Sequence, residues 1–155
     1  MSENQAGGTR YIIPGLEKFY ERFGDLAWPI VRIFSGLFYI PHGLQKVFGL
    51  FGGDATRLAQ VFEGRGLSPG MFWVQYVGWL ELVGGILLVL GLFTRPVALL
   101  FAGFMVGGIY WHQSSGYFWT ARGMEIPIFM LAIAIALALR GGGEYSLDRK
   151  RGREF

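Results

Sequence analysis

The chain has 155 residues, of which 52% are hydrophobic, 17% aromatic and only 16% charged, with a net charge of +3. Soluble domains are about 25% charged, so this chain has too few polar residues to cover a water-soluble body, and its mean hydropathy of +0.39 agrees. The absence of cysteine excludes a disulfide, a thiolate nucleophile and a thiolate metal site, and no GxGxxG run is present to cradle a dinucleotide.

Residues 1–27 form an N-terminal segment that is polar and Gly-rich up to about residue 13. In PGLEKFYERFGDLAW, Leu16, Phe19, Tyr20, Phe23 and Leu26 recur at helical spacing opposite Glu17, Lys18, Glu21, Arg22 and Asp25. This predicts a short amphipathic helix, too charged to span and suited to the membrane interface. The first span follows over residues 28–51, with Pro41 expected to kink it. Residues 54–70 are polar and end in the turn-forming stretch RGLSPG, so they are expected to form a loop. A second span is expected over 71–93 and a third, containing Gly103-x-x-x-Gly107, over 97–112. An aromatic loop with Tyr117, Phe118 and Trp119 comes next, then a fourth span over 123–139. Residues 141–155 form a basic tail. The expected fold is all-α, a four-helix transmembrane bundle spanning residues 28–140, with the amphipathic helix ahead of it.

Four spans put both termini on one side of the membrane. That side would carry nine basic residues (Arg10, Lys18, Arg22, Arg95, Arg140, Arg149, Lys150, Arg151 and Arg153), against four on the other (Lys46, Arg57, Arg65 and Arg122). The excess of basic residues belongs on the cytoplasmic side, so both termini are expected in the cytoplasm of a bacterial-type plasma (inner) membrane. It also accounts for the high pI without nucleic acid as a partner.

The first span carries Arg32, His42 and Lys46. A charge at the bilayer centre costs at least about 2.5–3.5 kcal/mol, so such residues face a bundle interior or a polar cavity. At 100° per residue, Arg32, Gly36, Tyr39, Gly43 and Lys46 fall within roughly 80° of one another, flanked by Ser35 and His42. Arg32 lies near the cytoplasmic end, His42 in the outer half and Lys46 close to the outer interface. Glu81 reaches mid-depth on the second span, while His112, Arg122 and Glu125 sit at the outer ends of the third and fourth. These outer-half residues are expected to converge on a polar pocket or a neutralised cluster. A metal site from His42, His112, Glu81 and Glu125 is chemically allowable, but no HxxxH or ExxH spacing supports it; His42 and His112 could also ligate a haem, and neither group is expected.

With these residues identified, RIFSGLFYIPHGLQKVFG (32–49), WLELVGGILLVLGLFTRPVAL (79–99) and the tail GGGEYSLD (141–148) together resemble the DoxX/DoxD family of small four-helix membrane proteins. The resemblance implies Arg32, Gly36, His42, Gly43, Lys46, Glu81, Gly84, Gly85 and Asp148 as motif positions. It also implies a role in membrane oxidoreductase assemblies, including thiosulfate:quinone oxidoreductase. The expected function is therefore a quinone-interacting subunit of a respiratory-type membrane oxidoreductase. Glu81, His42 and Lys46 would be catalytic, and Arg32, Tyr39, His42, Lys46, Glu81, His112 and Glu125 would bind the quinone. Other membrane subunits are expected as partners, with self-association possible. The alternative is a non-catalytic structural or assembly subunit whose polar cluster only locks the bundle.

Overall fold

The structure, a computed structural model, describes residues 11–152. Its α-helices are α1 (Glu17–Phe23), α2 (Ala27–Phe48), α3 (Ala55–Glu63), α4 (Gly70–Leu90), α5 (Thr94–His112), α6 (Glu125–Arg140) and α7 (Leu147–Lys150); no strand occurs among the described residues. The first ten residues, including Arg10, and the last three, including Arg153, lie outside them.

The amphipathic segment forms, as a 3-10 turn at Pro14–Leu16, then α1, then a second 3-10 turn at Gly24–Leu26 leading into α2. Every residue from Pro14 to Leu26 is exposed; among the described residues Tyr11 stacks on Tyr20, and the stripe Leu16, Phe19, Tyr20 and Phe23 remains largely uncovered. α2 runs through Pro41 without interruption, where the sequence predicts a kink. It ends at Gly49, and α4 ends at Gly91, both in the left-handed conformation that glycine adopts without a Cβ penalty. These two glycines end the first and second spans three residues earlier than expected.

Residues 54–70 differ from the predicted loop. The Asp54 carboxylate accepts a hydrogen bond from the Arg57 N–H at 2.9 Å and starts α3. Ala59 is buried, and Glu63 Oε1 in turn accepts from the Gly70 N–H, tying α3 to the first turn of α4. Arg65 donates to the Trp111 carbonyl at 2.8 Å and lies 3.9 Å above the Trp111 ring, so this segment also grips the end of α5.

The four long helices pack as two antiparallel pairs, α2 with α4 and α5 with α6. In the first pair, backbone meets backbone. A Cβ on Gly36 would run into the Gly85 carbonyl and Val89, and one on Gly43 would meet the backbone of Leu82 and Gly78. Gly36 and Gly43 are seven residues apart on α2, as are Gly78 and Gly85 on α4, so both helices present a notch every second turn. This is how apolar helices approach closely where water supplies no driving force. The two pairs share one core, in which Tyr39 of α2 and Leu88 of α4 meet Val97, Ala98, Phe101 and Met105 of α5 and Met130, Ala134 and Leu137 of α6. The Tyr39 ring stacks on Phe101 at 3.8 Å between centroids.

The exterior is apolar. On α2 the buried positions are Pro29, Arg32, Ser35, Gly36, Tyr39 and Gly43, while Ile30, Phe34, Leu37, Phe38 and Phe48 are exposed. This reverses the pattern of a soluble amphipathic helix. Exposed Leu99, Leu100, Val106, Phe129, Ile135 and Leu139 continue the apolar surface over α5 and α6. Two helical stretches, Pro14–Phe48 and Gly70–Leu90, are long and apolar enough to cross a membrane.

The glycine notches carry a prediction. Gly43→Ala should lower unfolding stability in detergent by about 1–3 kcal/mol through overpacking. Gly103→Ala should change it by no more than about 0.5 kcal/mol, because a Cβ there meets nothing within 4 Å.

Candidate functional site

α2 delivers its polar residues to two places, far apart along the helix. At the end where α4 turns into α5, Arg32 is fully buried. Its Nη1 donates to the carbonyls of Leu88 (2.7 Å) and Val89 (2.9 Å), and its Nη2 to that of Tyr145 (2.8 Å). Leu88 and Val89 lie in the last turn of α4, where carbonyls lack their usual i+4 partner and the helix dipole favours a cation; the Leu88 carbonyl also accepts from the Gly91 N–H at 3.1 Å. The tail folds back to meet them. Asp148 accepts from the Phe93 and Thr94 N–H groups, each at 2.8 Å, and so caps the start of α5; its own N–H donates to the Gly91 carbonyl at 2.9 Å. Phe93 has a φ of 52°, a strained conformation for a residue with a side chain, and the Asp148 carboxylate holds it. Trp28 Nε1 donates to the Gly141 carbonyl, and Ser146 caps α7 by accepting from the Arg149 N–H. There is no room for a side chain at Gly91 beside Arg32 and Ser146, nor at Gly142 beside Ser146 and Thr94. Residues 141–148 thus form a strap that clasps the α4–α5 turn, rather than a free tail.

The second place is about fourteen residues further along α2, roughly 21 Å at the α-helical rise. Lys46 Nζ pairs with Glu81 Oε2 of α4 at 2.7 Å, both side chains well shielded, and also contacts the His42 carbonyl at 3.4 Å. Gly78 and Gly43 bring the two helices close enough for this pair to form. Tyr39 lies seven residues before Lys46 on α2, about two turns away; it is 3% exposed, and its hydroxyl makes no hydrogen bond among the described residues. Gly85, one turn from Glu81 on α4, packs against Gly36 and Ile40 of α2, on either side of Tyr39 in sequence. His42 is exposed, and its ring lies against Phe38 at 5.2 Å.

His112 and Glu125 serve elsewhere. His112 Nδ1 is hydrogen-bonded to the Arg122 carbonyl at 2.6 Å, and Glu125 Oε2 accepts from the Trp119 N–H at 3.0 Å. Both fasten the α5–α6 loop. The structure therefore brings together Tyr39, Lys46 and Glu81, with His42 beside them. No hydrogen bond or ion pair joins His112, Arg122 or Glu125 to that group, and Arg32 is engaged at the other end through both of its terminal nitrogens. No three His, Asp or Glu side chains among the described residues gather closely enough to hold a metal ion.

A groove of about 550 Å³ opens on the apolar exterior between α4 and α5. Gln75, Tyr76 and Trp79 line its outer end, and Val83, Gly84 and Leu100 lie further in. The Phe101 ring stands against Gly84 and stacks on Tyr39. One aromatic ring thus separates the groove from the Tyr39 phenol.

A test of the clasp follows from its geometry. A lysine reaches the position of Arg32 with a point charge but cannot serve three carbonyls as a planar fork. Arg32→Lys should cost about 2 kcal/mol or more in unfolding stability, and trypsin should cleave at Arg149–Lys150 faster than in the unaltered chain.

The DoxX family model matches residues 27–114, more than half of the chain, from the start of α2 to just beyond the end of α5. The strap and α6 lie outside the matched residues. No curated protein and no solved structure matches the chain. The matched region contains the glycine-notched α2–α4 pair, Arg32, Tyr39, His42, Lys46 and Glu81. This chain belongs to the DoxX family and is a membrane protein of a kind often associated with oxidoreductase-related functions.

Proposed function

We propose that the protein is a four-span, quinone-interacting subunit of a membrane oxidoreductase, with both termini in the cytoplasm. The observation that carries this reading is the unpartnered, buried Tyr39 hydroxyl beside the Lys46–Glu81 pair. A buried polar group without a partner is costly, and its persistence points to a partner from outside the chain. A carbonyl needs a hydrogen-bond donor, which the Tyr39 O–H supplies. Lys46 holds Glu81 in place, and the Glu81 carboxylate can take or return a proton next to that donor. The lateral groove suits an apolar chain entering from the lipid, with Gln75, Tyr76 and Trp79 near its outer mouth. Bound quinone would supply two-electron acceptor chemistry, and the electrons would come from a partner subunit. The exposed stripe of α1 suits the cytoplasmic interface, where Leu16, Phe19 and Phe23 would sink among the acyl chains.

A second reading is favoured by one feature. Glu81 is already neutralised by Lys46 between two helices in close contact, so the pair could serve only as a structural pin that supports assembly with other subunits.

Binding of a short-chain quinone to the purified, reconstituted chain, followed by tryptophan fluorescence, tests the first reading. Tyr39→Phe and Glu81→Gln should each weaken binding by roughly tenfold, the worth of one buried hydrogen bond, with unfolding midpoints little changed. No quinone binding, or undiminished binding in both variants, would overturn it. Loss of folding in Glu81→Gln and Lys46→Met, in step with loss of function, would establish the pin instead.

A further inference from the structure

We infer that the end of the bundle where α2 begins binds the head group of an anionic phospholipid, through Arg140, Arg149, Lys150 and Arg151. The site needs only that the chain lies in a bilayer, and it uses none of the residues assigned to quinone.

The strap fixes these cations at the level where the long helices end. The Tyr145 carbonyl accepts from Arg32 near the start of α2, and the Asp148 carboxylate accepts from the Phe93 and Thr94 N–H groups at the start of α5. Arg149, Lys150 and Arg151 follow Asp148 directly, so they stay within three residues of that anchor. Arg140 closes α6, and its guanidinium lies 5.0 Å above the ring of Trp28, the second residue of α2. Trp28 is half-buried, and its Nε1 donates to the Gly141 carbonyl. A tryptophan of this kind, apolar in body and polar at one edge, belongs at the boundary between acyl chains and head groups. It sets Arg140 at the same depth.

The charge of this end is poorly compensated. All four basic side chains are exposed. Asp148 is 6% exposed and committed to backbone N–H groups. Glu144 meets Arg149 at 3.4 Å with both side chains half exposed or more, and an open pair of that sort contributes little. Arg140, Lys150 and Arg151 make no ion pair among the described residues. The neighbouring α1 is of another character, since Glu17, Glu21 and Asp25 outnumber Lys18 and Arg22 and its stripe is apolar. It supplies insertion, and the four cations supply the charge. Basic residues just beyond a spanning helix favour an anionic surface by about fivefold each. The arginine fork takes two phosphate oxygens at once, and Lys150 adds a point charge. A zwitterionic head group carries the same phosphate but cancels its charge, so this end selects a lipid of net negative charge.

Titration of the purified, delipidated full-length chain in detergent, followed by native mass spectrometry, tests the site. The probes are phosphatidylglycerol, zwitterionic phosphatidylcholine, and glycerol phosphate as a head group without acyl chains. Phosphatidylglycerol should bind at least roughly tenfold more tightly than either of the others. Lys150→Gln with Arg151→Gln should weaken it by roughly tenfold or more and leave phosphatidylcholine unchanged. Arg57→Gln with Arg122→Gln removes two exposed cations at the opposite end of the bundle, and should leave the affinity for phosphatidylglycerol unchanged. Equal affinity for the two lipids would overturn the site and leave the basic residues to an acidic protein surface. Equal losses in the two double variants would overturn it in favour of overall charge, and glycerol phosphate binding as tightly as the lipid in favour of a soluble phosphate. If the α7 double variant folds poorly, Arg140→Gln decides by the same readouts. Tyr39, Lys46 and Glu81 are unaltered in every variant, so quinone binding should be unchanged throughout and the two readings fail separately.

Discussion

The fold depends on how one buried charge is satisfied. Arg32 has no exposed surface, and an unpaired guanidinium in such a place would destabilise the chain by several kcal/mol. The three carbonyls that receive its protons come from the last turn of α4 and from the strap, so α2, α4 and residue 145 are fixed by a single side chain. The strap in turn caps α5. The arrangement needs no carboxylate in direct contact with the guanidinium. The end of a helix dipole and three oriented carbonyls serve instead, and the carboxylate of Asp148 is left to bind backbone N–H groups.

The glycine notches give this arrangement its geometry. Where Gly36 and Gly43 meet Gly85 and Gly78, two backbones approach without intervening side chains. The distance between α2 and α4 is then set by the main chain and not by rotamers. Lys46 and Glu81 can therefore meet at hydrogen-bond distance even though each belongs to a helix that is otherwise apolar. The second pair, α5 and α6, packs through larger side chains and contributes the aromatic floor of Phe101.

Much of this was legible in the sequence. Helical spacing assigned Arg32, Gly36, Tyr39, Gly43 and Lys46 to one face, and the cost of burying charge turned that face inward. The division of Arg32 from His42 and Lys46 followed from rise per residue alone. The convergence of His112, Arg122 and Glu125 on Glu81 did not follow, because depth along the membrane normal says nothing about direction around the bundle. His112, the Arg122 carbonyl and Glu125 are instead used to close the α5–α6 loop. The clasp was missed for a different reason. A residue that caps a helix 54 positions earlier leaves no local pattern, and the GGGEYSLD tail read as polar and basic. α3 was missed although its signals were present, with Asp54 at the cap and Leu58, Ala59 and Phe62 at helical spacing. The surrounding glycines and the RGLSPG turn outweighed a nine-residue pattern.

The groove between α4 and α5 has a practical consequence. It opens on the apolar exterior, is lined almost wholly by hydrocarbon and aromatic groups, and lies one ring away from Tyr39. A space of that size and polarity will be filled by whatever amphiphile surrounds the protein, because leaving apolar walls bare beside mobile chains forfeits dispersion contacts. During extraction the detergent takes that position. Its chain length and head group then set the packing of Gly84 against Phe101, and through Phe101 the placement of the Tyr39 phenol. The choice of solubilising agent thereby becomes a variable of the site itself, and a preparation in native lipid and one in a micelle present two different surroundings for the same hydroxyl.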